Sequence, residues 1–505
     1  MKFTRGSIAG KARYAGLAFA TALSMVPVAA FGANLNGNTA NITINGLSEG
    51  DTITAYQILD RDYDPNTNNV TDTFIPGTGL TLEDFQSLTS DGDMYVKGSA
   101  MQQAADKIAS AIKAGKATAL NTESATANDQ GIAAIADAPA GEWLILVTAK
   151  DGSVEKVYQN TIVSNAPVVE NGKYVAKDAE ATIKSTKETV KKGVGTTAED
   201  AEGAKTADGK YGIGDLVPFV ISTTIPNYPA NSKYRTFVIG DAPSAGLAIQ
   251  NDTTNPITVK VDGEPVNATA DDGSTNYTLS LDNGVLTITF DEGYILKHTG
   301  AKVLVNYKSK VTSAAQVTST DTTHNKATIT FNPNPYEDKT SVPDDIDVVK
   351  TYGLFFLKKG DDKALEGATF KIKYAEEVNG HKVGDYVKDE NGKDLECTSG
   401  ADGYIFFEDL AKGKYTLEEV SVPSGFQKVA DIPVDLTGDT KDNPVTKTVE
   451  ANYQKFDDVE DPKVGMLPTT GDAGTIGLTA AGICLVAGSA FVIAGRVRRS
   501  KDDQE

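Results

Sequence analysis

The 505-residue sequence is poor in the residues that build disulfide frameworks, metal centres and active sites. It has one tryptophan, three histidines and two cysteines, Cys397 and Cys484. Because Cys484 lies in an apolar C-terminal stretch, an exported chain cannot form an internal disulfide. The histidines show no metal-ligand spacing, and no nucleophile elbow, phosphate-binding glycine loop or paired catalytic motif is present. The sequence therefore predicts a protein that is not an enzyme and needs no cofactor.

Cations are also scarce, with 48 Lys and Arg against 69 Asp and Glu, which gives a net charge of −21. Four of these cations, Lys2, Arg5, Lys11 and Arg13, precede an apolar run over residues 15–30 and small residues at 30–33. This order predicts a secretory signal peptide over residues 1–32. Its removal takes the net charge to −25. So acidic a chain argues against nucleic acid and anionic membranes as partners and suits a secreted protein.

The other long apolar run covers residues 475–495, close to the C-terminus. It is preceded by the pentapeptide Leu467-Pro468-Thr469-Thr470-Gly471 and followed by Arg496, Arg498, Arg499 and Lys501. Twenty-one apolar or small residues are enough to span a bilayer as a helix, and the cations after them favour the cytoplasmic side. Pro468 biases Leu467 toward an extended conformation that suits a protease-like groove. The sequence therefore predicts a transmembrane helix that presents an extended pentapeptide outside the cell.

This order resembles the LPxTG cell-wall sorting signal of Gram-positive surface proteins, which is the substrate of a sortase transpeptidase. The resemblance implies cleavage between Thr470 and Gly471. It also implies a mature protein that ends in a covalent bond through the Thr470 carbonyl and is anchored to peptidoglycan in the cell wall.

Between the two apolar runs, short alternating strands rich in Thr, Val, Ile and Tyr are separated by Gly, Asp, Asn and Pro turns. This pattern predicts an all-β fold of three tandem immunoglobulin-like β-sandwiches. We place them at residues 33–183, 185–334 and 345–456, with linkers at 332–343 and 457–466 and the sorting signal at 467–505. The first block also contains a helix over 99–114, in which Ser99 and Gln102 have capping-box spacing. A weak internal repeat relates residues 139–145 to residues 411–417 and suggests the same type of sandwich in blocks one and three.

The third block contains the run Tyr415-Thr416-Leu417-Glu418-Glu419 and the strand 354–358. These resemble the E-box and the first strand of collagen-adhesin B-type domains in Gram-positive pilins, where a buried Lys and Asn condense to an isopeptide bond beside a Glu. The resemblance implies Lys358, Asn452 and Glu419 in these roles. Burial favours the neutral amine, which is a nucleophile, and the protonated acid, which polarises the amide and shuttles protons.

The second block offers a similar set on two alternating strands. Lys192 shares a face with Val190 and Val194, and Asn325 shares one with Ala327, Ile329 and Phe331. The run 237–241 resembles the fimbrial isopeptide-forming middle domain, in which an Asp is the acid. The resemblance implies Lys192, Asn325 and Asp241, with Lys191 as the competing lysine one register step away.

The first block lacks such a set. No lysine occurs between residues 33 and 96, and Val147 stands where Glu419 stands in the third block. We therefore expect this domain to be uncrosslinked and the most labile of the three. Its alternating Asp60, Asp62, Asp64, Asn66 and Asn68 resemble calcium ligands, but Pro65 replaces the turn glycine and no Glu closes the loop, so we favour a solvated loop.

The whole arrangement resembles a sortase-assembled major pilin, the backbone subunit of a fimbria. The resemblance implies that a lysine near the end of the N-terminal domain attacks the acyl-sortase intermediate of the next subunit, and Lys184 fits this position better than Lys177. Expected partners are a class C sortase, further copies of the chain, peptidoglycan, and tip or minor pilins. A non-polymerising wall-anchored adhesin is the first alternative, and a secreted wall-associated enzyme is the second.

Overall fold

A computed structural model of the chain describes residues 39–64, 67, 69–89, 99–150, 156–317, 323–438 and 452–464. The predicted signal peptide and the sorting signal both lie outside these residues. No helix of the described part is long and apolar enough to cross a membrane. The described residues form three β-sandwiches in chain order, which confirms the predicted all-β fold.

The N-terminal sandwich packs a sheet of order β11-β1-β5 against one of order β3-β2-β6-β8, with β4 also paired to β2. Two small pairs, β9 with β10 and β7 with β12, complete it. Its elements are β1 (Thr39–Asn45), β2 (Thr52–Tyr63), β3 (Val70–Phe74), α1 (Leu82–Thr89), α2 (Ala100–Lys113), β4 (Thr122–Thr126), β5 (Ala133–Pro139), β6 (Gly141–Thr148), β7 (Lys156–Tyr158), β8 (Thr161–Ser164), β9 (Val168–Glu170), β10 (Lys173–Val175), β11 (Ala179–Thr182) and β12 (Ser185–Lys187).

Apolar residues of this domain separate into two cores, one on each face of the β2-β6-β8 sheet. Ile53, Trp143 and Ile145 face the sheet that contains β1, whereas Leu144 and Leu146 face the helices. The predicted helix is present as α2, where the Ser99 hydroxyl caps the N-terminus by accepting a hydrogen bond from the Gln102 amide at 3.2 Å. It covers the second core, as its apolar face predicts.

The middle sandwich consists of two six-stranded sheets, one of order β13-β15-β22-β18-β19 with β17 also on β22, the other of order β14-β24-β23-β16-β21-β20. A single apolar core lies between them. Its elements are β13 (Lys191–Val194), α3 (Ala198–Ala201), β14 (Thr206–Asp208), β15 (Leu216–Thr224), β16 (Phe237–Pro243), β17 (Leu247–Gln250), β18 (Thr258–Val261), β19 (Glu264–Pro265), β20 (Tyr277–Asp282), β21 (Val285–Phe290), α4 (Glu292–Lys297), β22 (Lys302–Val311), β23 (His324–Phe331) and β24 (Asp344–Lys350).

The C-terminal sandwich packs β26-β25-β29 against β28-β27-β30-β31, and the last two strands both pair in parallel with β25. Its core is rich in aromatic residues, with Phe356 and Phe370 in edge-to-face contact at 5.1 Å. Its elements are β25 (Tyr352–Gly360), β26 (Lys363–Ala364), β27 (Thr369–Tyr374), β28 (Glu396–Thr398), β29 (Tyr404–Leu410), β30 (Gly413–Ser421), β31 (Ile432–Leu436), β32 (Tyr453–Lys455) and β33 (Val459–Asp461).

The domain boundaries differ from those expected from the sequence at three places. β12 pairs with β7, so the first domain extends to Lys187 rather than ending at 183. β24, which we expected to open the third domain, pairs with β23 and buries Asp347 and Val349 in the middle domain. β33 falls in the segment expected to be a linker, and it closes the third sandwich. β12 and β33 have three residues each, which is too brief a hydrophobic pattern to assign a sheet, whereas β24 has seven and is placed by its pairing.

The weak internal repeat corresponds to a shared corner geometry. Asp137 and Asp409 both have positive φ, 51° and 58°, and Gly141 and Gly413, four residues later, have φ of 153° and 150°. In both domains, the aromatic residue two positions after this glycine donates a side-chain hydrogen bond to the backbone carbonyl four residues before it. These bonds run from Trp143 Nε1 to the Pro139 carbonyl at 3.0 Å and from the Tyr415 hydroxyl to the Ala411 carbonyl at 2.8 Å.

Candidate functional site

Two lysines are buried among the described residues of the chain, and they are Lys192 and Lys358. Each has an exposed fraction of zero and points into the interior of a sandwich. A buried ammonium is costly unless it is paired with a charge and hydrogen bonded. The surroundings of these two lysines therefore define the two candidate sites.

In the middle domain, the register of β13 decides which lysine points inward. Lys192 lies opposite Ile221 of β15 and is fully buried. Lys191 is 44% exposed at its side chain and reaches Glu202 at 3.8 Å. Because successive side chains of a strand point to opposite faces, only one of the two neighbours can enter the core. The structure places Lys192 there.

The Lys192 ammonium lies against an acid and beside two stacked aromatic rings. Its Nζ is 2.5 Å from Asp241 Oδ2, on β16 of the facing sheet, and it also contacts the Tyr307 hydroxyl. The ring centroids of Phe219 and Tyr307 are 4.6 and 5.0 Å from Nζ. The Asn325 amide donates from Nδ2 to the same Tyr307 hydroxyl at 2.9 Å. The structure thus brings together the lysine, the acid and the asparagine expected in this domain.

Burial changes the protonation equilibria of this group. It lowers the pKa of Lys192 and raises the pKa of Asp241, although the charge of each partner opposes the shift in the other. Both shifts favour transfer of a proton from the ammonium to the carboxylate. Such a transfer would give a neutral amine, which is a nucleophile, beside a neutral carboxylic acid and a buried carboxamide.

In the C-terminal domain, Lys358 on β25 lies between two acids. Its Nζ contacts Asp461 Oδ1 of β33 and is 3.5 Å from Glu419 Oε1 of β30. All three side chains are excluded from solvent, and the Phe370 ring is 5.7 Å from Nζ. Burial raises the pKa of Glu419, whose Oε2 accepts a hydrogen bond from the Val429 amide at 2.9 Å.

The expected partner Asn452 is not in this group, which corrects the sequence expectation. Tyr453 is the register partner of Gly353, so Asn452 lies at the opposite end of β25 from Lys358, about 20 Å away at the rise of a strand. Its Nδ2 points to the Thr351 carbonyl at 3.4 Å instead. Lys358 is the register partner of Val459. Asp461, two residues after Val459 on the same face of β33, accepts a hydrogen bond from the Lys358 amine.

The sequence also contains a signal for Asp461, although the family resemblance implies an asparagine. Asn452 is the last asparagine before the sorting motif, so a pattern that requires Asn must choose it. Val459 and Asp461, however, alternate as a strand does, and Pro462 follows directly. An aspartate differs from an asparagine here only in its leaving group, which is water rather than ammonia.

The lysines considered for joining subunits both lie on the surface of the first domain. Lys184 is exposed between β11 and β12, where its carbonyl accepts a hydrogen bond from the Gln159 amide at 2.9 Å. The buried neighbours Ala181 and Ile183 fix the alternation that turns Lys184 outward. Lys177 is also exposed, between β10 and β11. The pentapeptide Leu467 to Gly471 lies outside the described residues.

The first domain has a valine at the position corresponding to Glu419. Val147 is buried in β6, and none of the described lysines of this domain is buried. In the described part of the chain, no group of three or more His, Cys, Asp or Glu side chains could hold a metal ion. Of the Asp and Asn residues considered as calcium ligands, Asn66 and Asn68 lie outside that part.

Comparison with known proteins identifies two segments of the chain. Residues 353–453 match the model of the SpaA prealbumin-like fold domain, and residues 460–503 match that of the LPXTG cell wall anchor motif. The first match covers most of the C-terminal sandwich. The chain carries a cell-wall anchor, which confirms the predicted wall location.

Two relatives extend the similarity beyond these segments. The chain is 24% identical over 349 residues to fimbrial subunit type 2 of Actinomyces naeslundii, a match covering 60% of this chain. It spans 62% of the length of that relative. Its fold is similar to that of the T6 backbone pilin of serotype M6 Streptococcus pyogenes, with a TM-score of 0.59, 20% identity, and coverage of 79% of this chain and 81% of the other. These findings confirm the resemblance to Gram-positive sortase-assembled major pilins.

Proposed function

We propose that the chain is the backbone subunit of a covalently polymerised pilus on a Gram-positive cell surface. The anchor match and the fimbrial relative support a wall-attached fimbrial protein. The observation that carries the proposal is the fully buried lysine against a carboxyl in each of the two sandwiches that follow Lys184. Such pairs are a poor source of stability as simple ions, because desolvation offsets their attraction. They are well placed to become covalent bonds that strengthen a fibre.

Polymerisation in this scheme joins Thr470 of one subunit to Lys184 of the next. A class C sortase breaks the peptide bond between Thr470 and Gly471 and holds Thr470 as an acyl group, while the Gly471 amine leaves with a proton. The Lys184 amine then attacks the acyl carbon, loses one proton and forms an amide. Transfer of the last subunit to peptidoglycan ends the reaction and anchors the fibre.

Two internal bonds form without an enzyme, so the protein is a structural subunit whose only chemistry is on itself. In the middle domain, the Lys192 amine attacks the Asn325 carboxamide carbon, Asp241 shuttles the proton, and ammonia leaves. In the C-terminal domain, the Lys358 amine attacks the Asp461 carboxyl carbon, Glu419 shuttles the proton, and water leaves. An amine and a carboxyl or carboxamide in water do not condense without chemical activation. Here burial and proximity would take the place of that activation.

Boiled cell-wall extracts distinguish a pilus backbone from a tethered monomer. A backbone subunit gives a ladder of covalent polymers on a denaturing gel, and deletion of residues 467–471 abolishes both the ladder and wall attachment. Tandem mass spectrometry of the ladder then recovers a lysine that carries a threonine remnant. A single wall-linked band from the unaltered chain overturns the proposal and leaves a non-polymerising adhesin. Adhesion to host surfaces is the role such a fibre would support.

A further inference from the structure

One further carboxyl lies inside the middle domain without a role in the scheme above. Asp347 on β24 is fully buried, and neither of its carboxyl oxygens has a hydrogen-bond partner. Lys205, which is 41% exposed at its side chain, reaches Oδ1 at only 3.8 Å, and its own donors go to Asp345 and to backbone carbonyls. A buried carboxyl left this poorly satisfied costs stability and calls for a role.

The position of Asp347 in the sheet gives that role. β24, β23 and β16 are neighbours, and Asp347 is the register partner of Asn325 across the first pair. Side chains of such partners lie on one face with their Cβ atoms about 5 Å apart. Asp241 lies on the other flank of the same strand, opposite Ala327. The Asn325 carboxamide therefore has a carboxyl on each side.

The hydrogen-bond inventory of this pocket is short of donors. Four buried acceptor oxygens have no partner, namely Asp241 Oδ1, Asn325 Oδ1 and both oxygens of Asp347. A protonated carboxyl has an O–H and becomes a donor, whereas an ionised one only accepts. A proton on Asp347 would let it donate to the Asn325 carbonyl oxygen beside it, which satisfies two of the four atoms at once.

We propose that Asp347 is a second acid in the bond-forming reaction, donating a hydrogen bond to Asn325 Oδ1 as Lys192 attacks. The inference rests on the proposed Lys192–Asn325 bond. Attack of Nζ on the Asn325 Cγ places negative charge on Oδ1, and the Asp347 O–H stabilises that charge. The C–N bond to the amide nitrogen then breaks. That nitrogen takes up a proton through Asp241 and leaves as ammonia, so one amide replaces another and no oxidant is needed.

The charged and titratable surroundings make the protonation of Asp347 sensitive to pH. Burial raises the pKa of Asp347 to about 6, and the nearby carboxylates raise it while the nearby lysines lower it. The groups that face it from its own strand and from every packed element are Lys192, Lys205, Asp241, Tyr307 and Asp345. As pH rises through about 6, Asp347 loses the proton that the donor role needs.

The test follows the bond as newly made protein folds. The full exported chain is synthesised in a cell-free system, samples are quenched in acid denaturant, and peptide mapping measures the Lys192–Asn325 crosslink over time at pH 5 to 8. For the unaltered chain we expect the rate to fall as pH passes about 6. Asp347→Ala should slow the reaction by about 10²-fold. Asp347→Asn, which keeps the shape and a donor but cannot titrate, should lose the step near pH 6.

Two controls separate chemistry from folding. Formation of the Lys358–Asp461 bond in the same molecules reports that the chain folds, and it should proceed at an unchanged rate. Lys205→Met removes the cation nearest Asp347, so it should keep the bond and move the step to higher pH.

The outcomes are distinct. Equal rates and pH profiles for all Asp347 variants overturn the role of Asp347 while leaving the bond in place. A crosslink of Lys192 to Asp347 itself, with loss of water, overturns it as well. Absence of any Lys192 crosslink in the unaltered chain refutes the proposed bond, and with it the inference.

Discussion

Lys358 and Asp461 meet in the interior of the C-terminal sandwich as an amine and a carboxyl carried by neighbouring parallel strands. Because the first strand of the domain and its last strands run parallel, the chain enters and leaves the domain at opposite ends of β25. A bond at this point would close a loop of about 100 residues, for which a disulfide contributes about 4 to 5 kcal/mol by chain entropy.

The partner of Lys358 can be identified by mass. We expect the C-terminal domain to have lost one water, about 18 Da, and Asp461→Ala to retain its full mass because the acyl carbon is gone. Asn452→Ala, the matched control at the residue expected from the sequence, should still lose the water. Intact mass and peptide mapping measure both. A loss that disappears in Asn452→Ala and persists in Asp461→Ala would contradict the assignment.

Replacing the leaving group gives a sharper version of the same experiment. Asp461→Asn starts about 1 Da lighter but releases ammonia rather than water, so its crosslinked product is chemically identical to that of the unaltered chain. We therefore expect the two mature proteins to have the same mass. A persistent difference of about 1 Da would mean that residue 461 does not take part.

In the middle domain, Lys192→Ala and Lys191→Ala form a matched pair of neighbouring lysines with opposite exposure. We expect Lys192→Ala to abolish a loss of about 17 Da and to lower the free energy of unfolding by about 4 to 5 kcal/mol. Lys191→Ala should change that free energy by no more than about 0.5 kcal/mol. Mass spectrometry and chemical denaturation check the two values, and equal effects of the two substitutions would refute the register argument.

The lysine that accepts the next subunit can be tested by a second matched pair, Lys184→Ala and Lys177→Ala. Both side chains are exposed, so neither substitution should affect folding. We expect Lys184→Ala to collapse the wall-extract ladder to the monomer, because it removes the amine that attacks the acyl intermediate, and Lys177→Ala to leave the ladder intact. The reverse pattern would move the junction to Lys177.

The first domain should respond to pH through Glu142. This side chain is buried on β6, where it accepts a hydrogen bond from the Ser164 hydroxyl at 2.9 Å, and burial raises its pKa to about 7. The folded state therefore binds a proton that the unfolded state has released, so stability falls as pH rises from about 4.5 to 7. The loss amounts to about 3 kcal/mol.

Trp143, the single tryptophan of the chain, adjoins Glu142 and reports unfolding of this domain by fluorescence. Glu142→Gln should flatten the decline between pH 4.5 and 7, and Glu123→Gln, at an exposed position on β4, should leave it unchanged. A decline of equal size in Glu142→Gln would assign the pH dependence to other groups.

Much of the architecture could be predicted from short-range pattern. The strand recognised at 354–358 lies within β25, and the predicted helix differs from α2 only by its two capping residues. Alternation also indicated that Lys192 points inward, because it shares a face of its strand with Val190 and Val194. These features depend on periodicity within a single element, which the sequence carries.

Features that depend on pairing between distant elements were harder to predict. Asp461 meets Lys358 because of the register of β33 against β25. Tyr453 pairs with Gly353 and Val459 with Lys358, so the last segment of the chain has one more residue than β25 between these two pairs. Asp347 was missed because β24 is assigned to the middle sheet only by its pairing with β14 and β23, which are distant in sequence or separated from it by a loop. No local pattern in either strand contains that information.

The location of Lys184 at the end of the first domain has a mechanical consequence for the proposed fibre. Tensile force along the fibre would act on each subunit at Lys184 and at Thr470. The two internal bonds would carry this force across both sandwiches, so most of their backbone would bear none of it. The strained backbone would then be limited to residues 184–192, 325–358 and 461–470. Most of the N-terminal domain would lie outside the path of the force. It could therefore remain uncrosslinked in a fibre that resists stretching.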